Sequence, residues 1–209
     1  MNNIFMDAMD FRHACKLFDE DKKISDVDIR EILEAGRKSP SSFGMEPWKF
    51  LVITNEELKA RIRPYCWDQP QITSCSHLVI ILSAIESLRV ESGVVQKRFK
   101  RREMLQEKFD FYVNLYAKHL ENTLSCDDNI YFWSARQAYI AAANMMTCAA
   151  TLKIDSCPIE GFERENLQNL LNLDISKYQI ALVLPFGYRV NPQSTQQRLL
   201  FDEVVEFID

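Results

Sequence analysis

Residues Tyr131–Leu152 read YFWSARQAYIAAANMMTCAATL, and Asp155–Phe162 continue as DSCPIEGF. The first run is the richest apolar stretch of the chain. It carries Arg136, Gln137 and Asn144, so it predicts a buried central helix and not a membrane span. Ala138, Ala141, Ala142, Met145 and Ala149 share one helical face, and small side chains there permit close helix approach. That face suits packing within one subunit or against a second copy. In the run that follows, Pro158-Ile-Glu-Gly161 brings a glycine backbone within reach of a flat ligand, or else simply connects two helices.

Outward from this core, a first helix is expected over residues 3–12. Ser25 is a good N-cap, with Asp26 and Asp28 in the first turn. Ile29, Ile32, Leu33 and Gly36 follow at helical spacing, and Pro40 ends the run. Trp48–Thr54 reads as a strand, and Asn55 caps a short helix through Ile62. Leu78–Ser83 is a short apolar run that predicts a buried strand. Residues 97–121 predict one or two long, partly exposed helices, broken over 125–130. A helix over 164–171 and a third strand over Gln179–Gly187 follow. The tail FDEVVEFID alternates like a strand. Many helices around a few separated strands predict an α+β fold and not a regular parallel α/β repeat.

The composition is that of one globular domain covering 1–209, since 47% of residues are hydrophobic and 26% charged. A formal charge of -5 with mixed signs argues against a nucleic-acid partner. Six cysteines lack any C-x-x-C pair, and only three histidines are present, so no metal site is expected. The first residues lack a basic start and an apolar run, so reduced thiols and a cytoplasmic setting are expected, with no membrane. With five glycines, both G-x-G-x-x-G and G-x-x-x-x-G-K-[ST] are missing, which removes the two commonest nucleotide folds.

Two further segments carry candidate chemistry. Arg12-His-Ala-Cys-Lys16 places two cations on one face whether helical or extended, which suits a phosphate. Ser39-Pro-Ser-Ser-Phe-Gly-Met-Glu-Pro-Trp48 puts small residues directly before a strand, where a ligand can approach the backbone. Taken singly, the first reads as a solvated basic patch and the second as an ordinary turn.

Together the three segments, with Ser76-His-Leu-Val, Phe186-Gly-Tyr-Arg189 and Arg198, resemble the nitroreductase family of FMN enzymes in order and spacing over nearly the whole chain. The look is closest to the oxygen-insensitive NAD(P)H branch. The resemblance implies a central, mostly antiparallel sheet flanked by helices, and an intertwined homodimer in which an arm over 193–209 reaches the partner. It implies one FMN in each of two clefts between subunits. Arg12 and Arg198 would hold the phosphate, with backbone contacts from His13 and Ala14, and Lys16 would face the N1–C2=O edge. Ser41 and Ser42 would come from the other subunit, and Gly44 would also contact the cofactor. Pro158 and Ile159 would lie on the flavin face, and the amides of Glu160 and Gly161 would serve N5 and O4. Phe43 and Trp67 would border the substrate slot, although core packing is an equally ordinary role for Trp67.

The implied reaction is ping-pong, with hydride passing from NAD(P)H through flavin N5 to a nitroaromatic, quinone or similar small acceptor. The flavin carries the chemistry, so no catalytic side chain is expected. Departures from the branch stand at Ala14, Gly44, Glu46 and Asp68, and at Gln71 and Gln196, which align with flavin-binding lysines. The lost cations predict a lower midpoint potential and weaker FMN retention. They also keep open a flavin-sequestering or redox-sensing protein with little turnover, or another flavin chemistry. Cys157, directly before the flavin segment, is expected to be an inert buried thiol or one that tunes the flavin.

Overall fold

A computed structural model describes residues 3–208; the tail's last residue, Asp209, lies outside the described residues. Helices α1 (Ile4–Phe11), α2 (Asp26–Arg37) and α3 (Glu56–Ile62) begin at Asn3, Ser25 and Asn55, each of which accepts a hydrogen bond from a backbone N–H in the first turn. Short α4 (Gln71–Ser74) and then α5 (Val94–Lys100), α6 (Gln106–Thr123), α7 (Asp127–Thr151), α8 (Arg164–Leu170) and α9 (Phe201–Val204) complete the helices.

The sheet has four strands among the described residues, not the three expected: β1 (Trp48–Ile53), β2 (His77–Ala84), β3 (Asp155–Ser156) and β4 (Tyr178–Gly187). Their order is β1-β2-β4-β3, with antiparallel pairing throughout. The extra strand is only two residues long, too short for any periodicity to reveal it. Strands β2 and β4 are apolar on both faces because both faces are covered. Leu78, Ile80, Leu82, Ile180 and Val183 enter one core, while Val79, Ile81, Leu184 and Phe186 enter another with α2 and α7. A register shift between Ile81 and Leu82 lets Ala181 and Leu182 both face the second core.

Helix α7 begins at Asp127, inside the segment expected to be a break. Its alanine face is fully used within the chain: Ala138, Ala142, Met145 and Ala149 pack into the second core. Gly36 of α2 lies so close that an added Cβ would sit 2.7 Å from Met145 Sδ. The outward side instead carries exposed Phe132, Tyr139 and Ile140. A third core joins Phe99, Tyr116, Ile130 and Trp133 beneath α5 and α6. The tail is also corrected: Phe201–Val204 is a helical turn and not a strand, since in the single chain it has no neighbouring strand to pair with. Among the described residues no helix is long and apolar enough to cross a membrane, and no cluster suits a metal ion.

Candidate functional site

The cationic segment after α1 is extended. Ala14 pairs in parallel with Ser156, and the Cys15 N–H donates to Ser156 O at 3.1 Å. This pairing docks Arg12–Lys16 against β3 and so against the segment Cys157–Phe162. Arg12, His13, Ala14, Lys16 and Arg198 line one open cleft of about 450 Å³ together with Ser194–Gln197. Lys16 is exposed, and no carboxylate pairs with it among the described residues.

Buried Asp155 holds this rim. It accepts from Arg189 Nε at 2.8 Å and Nη2 at 2.6 Å, and from the Arg189 backbone N–H at 2.9 Å. Arg189 in turn donates to Phe11 O and Gln193 Oε1. His13 Nδ1 stands 3.6 Å from Asp155, beyond a good hydrogen bond. Burial lowers the His13 pKa, and the Arg189 charge pushes the same way against Asp155. Gln196, aligned with a lysine in the resembling branch, spends its amide on three carbonyls, those of Met9, Asp10 and Arg12. It closes the C-terminal end of α1 and ties the arm down.

The segment Cys157–Phe162 adjoins this rim through Lys16 Nζ, 3.8 Å from Cys157 Sγ. The Ile159 N–H and C=O pair with Val183, which fixes the run to β4. Glu160 accepts from the Tyr139 hydroxyl of α7 at 2.7 Å, and Gln69 Nε2 donates to Gly161 O at 3.0 Å. The Trp67 ring lies directly on Gly161, where an added Cβ would meet it at 2.6 Å. Trp67 is not a core residue: it is 69% exposed and held in the left-handed region at φ 54°, as is Asp68 at φ 51°. Gln71 is buried and reaches Cys157 Sγ at 3.8 Å, as does Lys16 Nζ. Burial raises the Cys157 thiol pKa, and Lys16 and Gln71 only partly oppose it.

Ser41, Ser42, Phe43 and Gly44 lie elsewhere. The Ser42 N–H donates to Gln137 Oε1 of α7 at 2.9 Å, and Ser41 Oγ accepts from the Glu46 N–H at 2.8 Å. Phe43, at φ 55°, packs edge-on against Tyr116. Arg102 donates to Phe43 O, and Arg101 pairs with Glu46. Among the described residues this turn shares no hydrogen bond or ion pair with the Arg12–Lys16 rim.

The sequence reading passed over Asp155, Arg189, Tyr139 and Gln69 as working parts. Asp155 had a signal, a carboxylate opening the four uncharged residues Ser156–Ile159. Gln69 had none, because its role depends on the Gly161 carbonyl, 92 positions away in the chain.

A family model described as the Nitroreductase family matches residues 9–188. YfkO of Bacillus subtilis, an NAD(P)H nitroreductase by name, is 37% identical, with 97% of this chain and 96% of that one covered. A Staphylococcus epidermidis protein that is also an NAD(P)H nitroreductase by name is 40% identical, with 100% and 99% covered. Among solved structures, a nitroreductase-like protein of Streptococcus mutans superposes with TM-score 0.87 at 18% identity over 100% of both chains. A nitroreductase of Exiguobacterium sibiricum, solved in complex with FMN, gives 0.83 at 23% identity over 98% and 97%. At these identities the two structures speak for the fold.

Proposed function

The chain belongs to the nitroreductase family and is an NAD(P)H-dependent oxidoreductase of it, and from that premise we propose that it works with FMN. The observation that carries this is the cleft lined by Arg12, Lys16 and Arg198, with Lys16 Nζ 3.8 Å from Cys157 Sγ at the start of the glycine segment. When bound, FMN supplies hydride acceptance at N5 from NAD(P)H and delivery to a nitroaromatic, quinone or similar small acceptor, in ping-pong order.

The donor set fits such a group. Arg12 and Arg198 suit a phosphate, with the His13 and Ala14 backbone beside it. Lys16, like Arg12, has no carboxylate partner among the described residues, and it places its charge toward a developing negative charge. Pro158 and Ile159 present a fixed edge, and the Glu160 and Gly161 amides are free of intrachain acceptors among the described bonds. Trp67 shields the Gly161 backbone from water and borders the acceptor slot. Asp68 and Gln71 stand where the resembling branch has polar and cationic groups, and neither adds positive charge.

Ser41, Ser42, Gly44 and Phe43 complete the site in this proposal from a second copy of the chain, because they cannot do so from within one. Exposed apolar groups on α7 and on the arm (Leu199, Leu200, Phe201, Phe207) would be covered in the same homodimer. All six cysteines are free, which suits a reducing, cytoplasmic setting.

The test is an absorbance spectrum of the purified protein followed by anaerobic NADPH addition. A flavin band that bleaches, and recovers with a quinone, is the expected result. A colourless protein that takes up no added FMN would overturn the proposal, and a band that does not bleach would leave a flavin binder without this turnover.

A further inference from the structure

Gln69 sits at a junction that dictates its orientation. Its side-chain amide contacts Cys66 O and Gly161 O, each at 3.0 Å. Both are carbonyls and only accept, so the Gln69 NH2 group must face them. Its oxygen is thereby turned toward Gln71, 2.9 Å away, and Gln71 must present its own NH2 group. The second hydrogen of that group points at Cys157 Sγ at 3.8 Å, and the sulfur also receives Lys16 Nζ at 3.8 Å. Four side chains therefore form one directional relay: both glutamines have a single hydrogen-bond sense, Lys16 only donates, and the Cys157 sulfur accepts from both sides while its own S–H faces Pro158 O at 4.0 Å.

The relay is rigid at its base. Gln71 and Cys157 are buried, and Gln69 is carried by a loop whose backbone closes on itself: the Asp68 N–H donates to Arg63 O, and the Gln69 N–H to Cys66 O. One end grips the carbonyl of Gly161, and the other sets an ammonium group that has no carboxylate partner among the described residues. In the FMN reading above, on which this inference rests, those ends lie at the N5–O4 and N1–C2=O edges of one ring system. We propose that Gln69 is a positioning residue: through Gln71 and the Cys157 sulfur it fixes the Gly161 peptide and the Lys16 ammonium in register with each other, so that both meet the same flat ligand. Cys157 serves as the shared acceptor and not as a redox thiol.

The experiment uses FMN-reconstituted protein. Gln69→Glu keeps the size and still accepts from Gln71, but it sets carboxylate oxygens against two carbonyls. The expected result is FMN binding about tenfold weaker, a displaced absorption band of the bound flavin, and flavin reduction by NADPH slowed about tenfold or more, since small misplacements of reacting groups cost rate steeply. Cys157→Ala, which deletes the shared acceptor, moves the band in the same direction. Cys157→Ser, which keeps an acceptor, restores it. A role in stability alone would lower the melting temperature and leave the band unmoved.

If the wild type binds FMN and is reduced, yet Gln69→Glu keeps its band, affinity and reduction rate, only the relay is overturned. If Cys157→Ala and Cys157→Ser behave alike, the shared-acceptor role of the sulfur is overturned. If the wild type takes up no FMN, both this inference and the reading beneath it fall.

Discussion

The Arg12–Lys16 segment and the Ser39–Trp48 turn look alike in sequence, since each is a short polar stretch between a helix and a strand or bridge. The fold treats them oppositely. The first is docked on β3, braced by the buried Asp155–Arg189 pair and closed over by Gln196. The second is held by buried Gln137 of α7, by the third core through Phe43 and Met45, and by two arginines that follow α5. It also holds three residues at positive φ, Phe43, Gly44 and Glu46, on either side of Met45. A segment braced from the core can be preorganised by its own chain. A turn with this backbone, anchored on the third core through Phe43 and Met45, is in our proposal arranged for the cleft of a second copy.

The largest expected effect tests the brace. Asp155→Ala leaves Arg189 without its buried partner and should cost about 3 kcal/mol, because losing one member of a buried pair strands the other charge. Urea unfolding at neutral pH measures it; a loss near zero would mean that the rim does not depend on the pair. Next comes the charge of that same half-site. Gln71→Lys should raise the flavin midpoint potential by roughly 30 mV, the equivalent of ~1.4 kcal/mol for two electrons. Potentiometry of the loaded protein reads it, and an unchanged or lower potential would refute the idea that missing cations make this flavin more reducing.

On the other side of the comparison, Gly44→Ala meets both a φ of +61° and the Arg102 Nη2 atom 2.5 Å from the new Cβ. The guanidinium tip can move, so the stability cost should be about 1 kcal/mol, from the backbone alone. If the turn serves a partner's cleft, FMN affinity falls with it while the Arg12 rim is untouched. Full FMN affinity in this variant would remove the turn from the site.

The smallest effect is on pH. Burial lowers the pKa of both His13 and His77 below the ordinary value of 6.5. The unfolded chain then binds the protons more readily, so stability is fully present above pH 6.5 and declines as pH falls through the lowered values. Denaturation midpoints at pH 7.5 and 5.5 should show the decline, and His77→Gln should reduce it. A flat profile would mean that neither imidazole is constrained.

Helix existence was legible because caps and periodicity are local: Ser25 and Asn55 cap as their side chains require, and the doubly covered β2 shows as an unbroken apolar run. The edges of α7 and the two-residue β3 were not, since cooperative packing extends a helix into polar residues and two paired residues leave no period. The alanine face of α7 allowed two partners in sequence, and only the positions of α2 and the sheet assigned it to the core. The tail's alternation suggested a strand, but a strand needs a neighbour, and none lies beside it in the single chain.

The sequence by itself determined the α+β class, the cationic segment, the serine turn and the glycine wall, because each is written in contiguous residues. Tertiary structure decided which of them share a cleft. It placed Trp67 on Gly161, turned Gln69 toward a carbonyl 92 positions away, and set Asp155 under the rim. Those relations depend on the register of the chain across the sheet, which hydrogen-bond pairing fixes only once the strands have met.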